Sequence, residues 1–399
     1  MLTVLCHRTY RHLFAAQIIA LVGTGLATVA LSLLAFHLAG HKAGAVLGTA
    51  LAIKMLAYVG IAPVAAAFAE RLPRRPMLVS LDLIRCLVAI CLPFVKEIWE
   101  IYVLIFILQS ASAAFTPTFQ ATIPDILPDE REYTNALSLS RIAYDMESVI
   151  SPLLATALLA VVSSNQLFFG TAIGFLCSAA LVVSVCLPSP HPGQPRGIYE
   201  RTTRGMRLYL ATPRLRGLLA VNLAVACAAS IVFVNSVVYV QDRFGLSQRA
   251  TALALACFGG GSMLAAFILP RMLERASDRT VMLWGAALLV AGSCMTVFLQ
   301  SYLSLLLLWA ILGAGYSCAQ TPSGRLLRRS SAPEDQPALF AAQFALSHVC
   351  WLIAYPLAGK TGAAFGLSTA ACLLTVIAAL ATIIMMIVWP KDKDVAPGC

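Results

Sequence analysis

The chain has 399 residues, of which 60% are hydrophobic and only 12% are charged. An ordinary soluble domain carries about twice this charged fraction, so the composition excludes a water-soluble fold. The formal net charge of +10 is spread over many separate segments, which argues against a nucleic-acid partner.

Twelve apolar stretches follow one another along the chain. Each approaches or exceeds the length of about 20 residues that a helix needs to cross a bilayer. Together they fill nearly the whole sequence and leave no room for a soluble catalytic domain. The sequence therefore predicts an all-α integral membrane protein with spans near 12–37, 44–69, 77–95, 100–122, 134–161, 165–187, 215–241, 248–272, 280–298, 302–325, 337–363 and 367–389.

The largest hydrophilic stretch, residues 188–216, is rich in proline and basic residues and separates six predicted spans from six. We predict an N-terminal six-helix bundle at 1–187, a cytoplasmic linker at 188–214, a C-terminal six-helix bundle at 215–390 and a cytoplasmic tail at 391–399.

Basic residues are distributed unevenly between the two sets of loops. With the N-terminus in the cytoplasm, the inner segments hold twenty Lys and Arg residues and the outer loops hold five. This bias satisfies the positive-inside rule. We therefore expect a multi-pass protein of a bacterial inner membrane with both termini cytoplasmic.

A charged hairpin recurs in the two halves. Segment 70–75 reads ERLPRR and joins two predicted spans, and segment 274–279 reads ERASDR and joins two more, 204 residues later. Met77-Leu78 likewise matches Met282-Leu283 at an offset of 205. A repeat of helices with unchanged orientation predicts two halves related by an axis along the membrane normal, which is typical of transporters.

The first of these hairpins resembles the first signature of the major facilitator superfamily, Gly-x-Leu-Ala-Asp-Arg-x-Gly-Arg-Arg. Its acidic and basic positions are occupied here by Glu70, Arg71, Arg74 and Arg75. Ala66 and Pro73 stand where the signature has glycines. The resemblance extends over the full chain and implies the fold of that family, with 12 transmembrane helices in two pseudo-symmetric six-helix bundles.

Two further stretches carry finer resemblances. Residues 115–141 are similar to the branch that contains siderophore and macrolide exporters, through Pro117, Ile123-Pro124, Pro128 and Asn135-Ala136. Drug-proton antiporters of the family have a Gly-Pro motif in the fifth helix, and Ser151-Pro152 keeps only its proline. These resemblances imply export as the direction of transport.

The charged hairpin also has a physical interpretation. Acidic and basic groups at facing helix ends can pair in one conformation and separate in another. We predict a conformational latch of this kind, with a local i,i+3 pair tied to it; its residues are Glu70, Arg71, Arg74, Arg75, Asp82 and Arg85. The alternative is that the arginines only follow the positive-inside rule.

Three ionisable residues, Arg141, Asp145 and Glu147, lie deep within the predicted fifth span. Ionisable groups inside a bilayer are costly and usually functional. Arg141 and Asp145 are spaced to pair on one helix face, whereas Glu147 is turned by about 200° from Asp145 and lacks that partner. Asp145 and Glu147 are therefore candidates for proton coupling. The alternative is a structural ion pair, with Glu147 held by neighbouring Ser and Tyr hydroxyls.

His348 is a third candidate for proton coupling, because it lies within the core of the predicted eleventh span and imidazole titrates near neutral pH. The alternative is a histidine that only packs against its neighbours. Cys350, two residues later, cannot share a helix face with His348. That spacing argues against a simple metal site, and we expect none.

Other polar side chains inside the spans are candidates to line a substrate cavity. They are Gln17, Thr24, Thr28, Lys54, Arg141, Asn235, Tyr239 and Trp351. Lys54 is a candidate to pair with an acid across the cavity, and the alternative is that it extends toward the membrane surface. For the others, the alternative is that they only hold helices together by hydrogen bonds.

The sequence contains no nucleotide-binding loop and no His-Glu-x-x-His or Gly-x-Ser-x-Gly motif, so we expect neither an enzyme nor a cofactor. The hypothesis is a monomeric, proton-coupled exporter of small organic solutes whose partners are the bilayer, its substrate and protons. Two alternatives remain: efflux of a metal ion or chelate through His348 and the deep carboxylates, and a membrane sensor or scaffold that transports nothing.

Overall fold

A computed structural model describes residues 2–69, 72–188, 198–330 and 336–389. Within these ranges the regular secondary structure is helical, and twelve helices have 18 residues or more. The N-terminal half contains α1 (Arg8–Ala39), α2 (Ala43–Ala69), α3 (Arg74–Cys91), α4 (Ile98–Ile126), α5 (Glu130–Leu158) and α6 (Gln166–Val183).

The C-terminal half follows a short connecting helix, α7 (Ile198–Ala211). Its long helices are α8 (Pro213–Val237), α9 (Gln248–Arg275), α10 (Asp278–Met295), α11 (Tyr302–Gln320), α13 (Gln336–Phe365) and α14 (Leu367–Val388). A seven-residue helix, α12 (Ser323–Arg329), extends α11 after a turn. The predicted all-α membrane fold of two six-helix bundles is confirmed.

Ten segments of the described chain are long and apolar enough to cross a membrane. The first, Arg8–Ile61, contains α1 and most of α2, so these ten segments account for eleven of the long helices. The twelfth, α5, has 29 residues and is the helix that carries the deep ionisable residues. Apolar side chains such as Leu87, Phe267 and Ile387 are largely exposed, as expected where helices face lipid.

The two halves repeat the same helix pairings. In the N-terminal half, α1 packs against α5 and α6, α2 against α4, and α3 against α4 and α6. In the C-terminal half, α8 packs against α13 and α14, α9 against α11, and α10 against α11 and α14. Each pairing in one half thus has its counterpart in the other, which is the packing expected from a duplicated bundle.

The halves meet along two helix pairs, α2 with α13 and α5 with α9. We call the end of the bundle where α1 begins and α14 ends the terminal end, and the opposite one the distal end. Because successive helices alternate in direction, α2 and α9 begin at the distal end, whereas α5 and α13 begin at the terminal end.

The connecting helix α7 was not predicted, because the sequence between the halves is polar and lacks a long apolar stretch. Tyr209 anchors this helix: its side chain is fully buried and its hydroxyl donates a hydrogen bond to Oε1 of Gln343 on α13. Gly205 lies directly against the carbonyl oxygen of Ala338, where a Cβ would overlap it. The segment between the halves is therefore partly a packed helix.

Candidate functional site

Glu147 lies in the middle of α5 with its carboxylate against α1. A Cβ at Gly25 of α1 would lie 2.8 Å from Oε1 of Glu147 and would overlap the Ser151 hydroxyl. The missing side chain at Gly25 therefore leaves the space that the carboxylate occupies. Glu147 is half-buried.

Lys54 is a cation on another helix that lies within electrostatic range of Glu147. It lies on α2, is half-buried, and its ammonium group interacts electrostatically with the Glu147 carboxylate. The i±4 neighbours on α5 gave Glu147 no partner, and the nearby cation comes instead from another helix, 93 positions earlier in the sequence. The hypothesis that Lys54 pairs with an acid across the cavity stays a prediction, with Glu147 as the acid.

His348 of α13 lies near Lys54 as well. Its Nδ1 is 2.7 Å from the carbonyl oxygen of Phe344, so Nδ1 carries a proton and donates it to that acceptor. The ring stacks on Tyr58 of α2 with centroids 5.5 Å apart and contacts the Phe344 ring at 4.0 Å. Lys54 and His348 also interact electrostatically.

Lys54 is thus within electrostatic range of both Glu147 and His348, and we call these three residues the coupling cluster. The three residues come from α2, α5 and α13, and hence from both halves. Arg141 and Asp145 also lie on α5, and their side chains fall outside the described residues. Within the described chain, no group of three His, Cys, Asp or Glu residues lies close enough together to hold a metal ion.

The candidate cavity residues of α1 have partners in their own bundle. Gln17 is buried and accepts a hydrogen bond from Ser140 of α5 at 3.0 Å. Thr24 and Thr28 are half-buried and donate their hydroxyls to carbonyl oxygens one turn earlier in α1, at 2.9 and 3.0 Å. Gln17 thus joins two helices, while the two threonines satisfy their hydroxyls locally.

Asn235, near the end of α8, and Tyr239, in the turn that follows it, are fully buried, so neither is exposed to an open cavity in this conformation. The Asn235 amide donates to the carbonyl oxygen of Ala358 on α13 at 3.5 Å. The Tyr239 ring packs edge-on against Trp309 of α11 at 5.9 Å. The two side chains have different partners because the chain widens into a π-helical turn at Val238–Arg243, which breaks the i,i+4 relation used in the prediction.

Trp351 belongs to a network of aromatic rings in the C-terminal half. It lies 6.1 Å from Phe233 of α8 and 5.0 Å from Tyr355 of its own helix. Phe233 in turn packs edge-on against Phe258 of α9, which packs against Tyr316 of α11. Four helices of the C-terminal half thus contribute rings at this level.

At the terminal end, the predicted latch residues Arg74 and Arg75 bind partners within the N-terminal half. Arg74 forms an ion pair with Asp125 at the end of α4. Arg75 donates to the carbonyl oxygen of Val183, the last residue of α6. The sequence interpretation missed Asp125, which lies 51 residues from Arg74. Glu70 and Arg71 lie outside the described residues.

Asp82 and Arg85 form the predicted local ion pair, and both are buried. Ser178 of α6 donates a hydrogen bond to Asp82 at 2.8 Å. The Arg85 guanidinium lies over the rings of Phe115 and Phe175, at 4.2 and 4.6 Å from their centroids. The pair therefore joins α3, α4 and α6 inside the N-terminal bundle.

The C-terminal half repeats the terminal-end contacts with the charges exchanged. Asp278 at the start of α10 pairs with Arg325 and Arg329 of α12. Arg279 donates to the carbonyl oxygens of Met386 and Trp389 at the end of α14, as Arg75 does at the end of α6. The repeat offset of about 205 was the signal that could have identified these residues as counterparts of the latch.

At the distal end, glycines let α2 and α13 approach closely. A Cβ at Gly359 would overlap the carbonyl oxygen of Gly44, and a Cβ at Gly48 would overlap that of Tyr355. The second pair of helices is joined by Arg249 of α9, which donates to the carbonyl oxygens of Leu159 at 2.6 Å and Ala160 at 2.9 Å, just beyond α5. The halves are therefore in direct contact at the distal end.

Twelve long membrane helices in two repeated halves, with a few ionisable groups where the halves meet, define the class of secondary membrane transporters. The sequence profile of the Major Facilitator Superfamily matches the chain twice, over residues 13–252 and 218–398. The chain belongs to this superfamily, whose members are transporters and not enzymes.

Two relatives from Bacillus subtilis (strain 168) are MFS-type transporters described as uncharacterized. YfiS is 25% identical over 271 residues, which cover 65% of this chain and 63% of YfiS, less than two thirds of that relative. YvqJ is 24% identical over 375 residues, which cover 90% of this chain and 87% of YvqJ.

Solved structures share the fold at low sequence identity. A bacterial homolog of the human lysosomal transporter Spinster, in an inward-facing and unoccupied conformation, superposes with a TM-score of 0.78 at 13% identity, covering 96% of this chain and 99% of that one. The nucleoside transporter NupG superposes with a TM-score of 0.76 at 12% identity, covering 96% of this chain and 100% of that one. These similarities concern the fold alone.

Proposed function

We propose that the chain is a proton-coupled exporter of small organic solutes that works by alternating access. The coupling cluster is the observation that carries this proposal. It joins one carboxylate, one ammonium group and one imidazole from three helices and both halves of the molecule. Ionisable groups inside a bilayer are rare and mark ion or proton pathways.

The chemistry of the cluster supports exchange of a proton for a solute. The Glu147 carboxylate interacts with Lys54 when it is ionised, and protonation removes that attraction. The other cluster member within electrostatic range of Lys54 is His348, whose Nδ1 donates its proton to Phe344 and whose Nε2 is the nitrogen that can gain a proton. Because Lys54 and His348 belong to different halves, a change of charge at the cluster alters the electrostatic interaction between the halves.

The same proposal includes the orientation of the chain. Both termini lie in the cytoplasm of a bacterial cell, and the distal end faces outward, as the positive-inside bias predicts. The contacts of Gly44 with Gly359 and of Arg249 with Leu159 then close the outer side of the pathway. Because one chain supplies both halves, we propose that it functions as a monomer.

Export of organic solutes is the part of the proposal that concerns direction and substrate. It is supported by the likeness of residues 115–141 to the branch of siderophore and macrolide exporters. The aromatic network around Trp351 supports it as well, because rings bind ring-bearing solutes by stacking.

A transport assay with an imposed proton gradient tests the proposal. Purified protein is reconstituted in liposomes with an acidic lumen, and uptake of ethidium, erythromycin and desferrioxamine is measured beside labelled zinc and nickel. An antiporter accumulates at least one organic compound, and the ionophore nigericin abolishes this accumulation. The variants Asp145→Asn, Glu147→Gln and His348→Ala identify which group carries the proton.

Three outcomes contradict the proposal. Accumulation of zinc or nickel without any organic compound favours metal efflux. Accumulation that persists after the proton gradient is collapsed excludes proton coupling. Binding of these compounds to the detergent-solubilised protein, with no movement in liposomes, indicates a sensor or scaffold.

A further inference from the structure

A cavity lies between α1 and α5, beside the coupling cluster. Its volume is about 140 Å³, and Glu147 is the single charged residue among the described residues of its wall. Ile18 and Ile150, which also line it, are each 38% exposed, so the cavity is open to its surroundings. The remaining lining residues are apolar: Phe14, Leu21, Val22, Leu139, Ala143 and Met146.

The size and wall of this cavity limit what it can hold. An apolar cavity of about 150 Å³ accommodates one benzene ring. A carboxylate in an apolar wall attracts a cation, and among the side chains that the structure describes no other charged group lines this space. A ligand that satisfies both features has one aromatic ring next to an ammonium group.

Glu147 is shared between the cavity and the coupling cluster. Its carboxylate, held in the space left by Gly25, interacts with Lys54 of α2 as well as lining the cavity. A ligand cation at Glu147 would therefore compete with Lys54 for the same carboxylate.

We propose that the cavity between α1 and α5 binds organic cations with a single aromatic ring, the ring among the apolar side chains and the ammonium group at Glu147. This inference rests on the proposed function and names the substrate class for the same carboxylate. A cation bound there and a proton on Glu147 exclude each other, which is the relation that an antiporter requires.

Binding of benzyltrimethylammonium to the purified, detergent-solubilised protein tests the inference without any gradient. The competitor is neopentylbenzene, the neutral isostere in which carbon replaces the ammonium nitrogen. We expect labelled benzyltrimethylammonium to bind, and neopentylbenzene to displace it at least about tenfold less well than the unlabelled cation. Glu147→Gln should weaken binding of the cation by a similar factor and leave that of the neutral isostere unchanged.

Two variants on α5 test the location. Ala143→Phe fills the cavity and should abolish binding, whereas Ala157→Phe adds the same ring at an exposed alanine of the same helix and should leave binding unchanged. Loss of binding in Ala143→Phe could also result from disturbed folding, so a second variant is chosen to increase affinity. Met146→Ala enlarges the cavity and should bind naphthylmethyltrimethylammonium more tightly than the wild type does.

The inference is overturned if the wild type fails to bind benzyltrimethylammonium, if neopentylbenzene competes equally well, or if Ala143→Phe binds like Ala157→Phe. It is also overturned if Met146→Ala gains no affinity for the larger ring. None of these results affects proton-driven uptake of erythromycin or desferrioxamine, so failure of the cavity and failure of the proposed function can be distinguished.

Discussion

The two halves of the molecule repeat one another in helix pairing but differ in the side chains at their centres. The N-terminal half contains Lys54 and Glu147. Adding the repeat offset of 205 gives positions 259 and 352, which adjoin Phe258 and Trp351 of the aromatic network. At equivalent positions, therefore, the N-terminal half has charged side chains and the C-terminal half has aromatic rings close by.

This difference indicates a division of labour between halves that share one fold. Charges inside a bilayer are costly to maintain and respond to protons, whereas rings bind solutes without changing their own charge. His348 is the one member of the coupling cluster from the C-terminal half, and it reaches Lys54 across the contact between α2 and α13. The comparison predicts that proton coupling depends on the N-terminal half, and that the C-terminal rings contribute to the affinity for ring-bearing solutes.

The largest expected effect comes from removing the carboxylate of the coupling cluster. Glu147→Gln should reduce proton-driven accumulation to the level of protein-free liposomes, because the amide keeps the shape of the side chain but cannot exchange a proton. Glu147→Asp is the control that keeps the carboxylate and should retain a measurable part of the accumulation. Full gradient-driven uptake by Glu147→Gln would contradict the assignment of proton coupling to the N-terminal half.

A second prediction distinguishes the charged residues that couple transport to protons from those that only stabilise the fold. Arg85→Ala leaves Asp82 buried without its ion partner, which typically lowers the free energy of unfolding by about 3–5 kcal/mol. Thermal unfolding in detergent should therefore shift strongly downward. Arg325→Ala, which removes a more exposed partner of Asp278, is the comparison and should shift it less. Equal shifts would show that burial of the Asp82–Arg85 pair does not increase its contribution to stability.

Much of this organisation could be predicted from the sequence. Twelve spans follow from the lengths of apolar stretches, the two halves from the charged hairpins, and the importance of Glu147 and His348 from their position inside spans. Pairing of Lys54 with some acid could be raised as a hypothesis, but the identity of that acid as Glu147 could not be predicted, because periodicity relates residues on one helix and says nothing of which helices adjoin. The partner of Arg74, Asp125, was missed for the same reason.

Two local features of the structure could not be predicted from sequence patterns either. The helix α7 is polar, and its burial depends on Tyr209 reaching Gln343 on α13. The π-helical turn after α8 gives Tyr239 a different partner from Asn235, and no residue pattern marks that turn. Both depend on tertiary packing.

A third prediction concerns the distal contact between the halves. Gly48→Ala places a methyl group against the backbone oxygen of Tyr355, and backbone atoms cannot move aside easily. We expect slower transport, and faster hydrogen–deuterium exchange at the distal ends of α2 and α13, because the halves can no longer close there. Gly60→Ala on the same helix is the matched control, since a Cβ at Gly60 meets no atom within 4 Å. Identical exchange in the two variants would show that the glycine contact does not control closure.

The smallest expected effect concerns the aromatic half. Trp351→Leu removes a ring that, under the proposal, stacks on the solute, and such aromatic contacts contribute about 0.5–1.5 kcal/mol beyond the buried area. We expect the apparent affinity for the transported organic compound to fall by a factor of about 2 to 12. The dependence of uptake on the proton gradient should stay unchanged. A change in proton dependence would place part of the coupling in the C-terminal half.

Proton movement across the liposome membrane tests the central claim most directly. A gradient of a compound that the wild type transports is imposed without a pH gradient, and an entrapped dye reports the lumenal pH as the compound enters. The account predicts that the wild-type lumen becomes more alkaline, because each entering solute is exchanged for a departing proton, and that Glu147→Gln moves the compound without this change. Undiminished proton movement in Glu147→Gln would contradict the account.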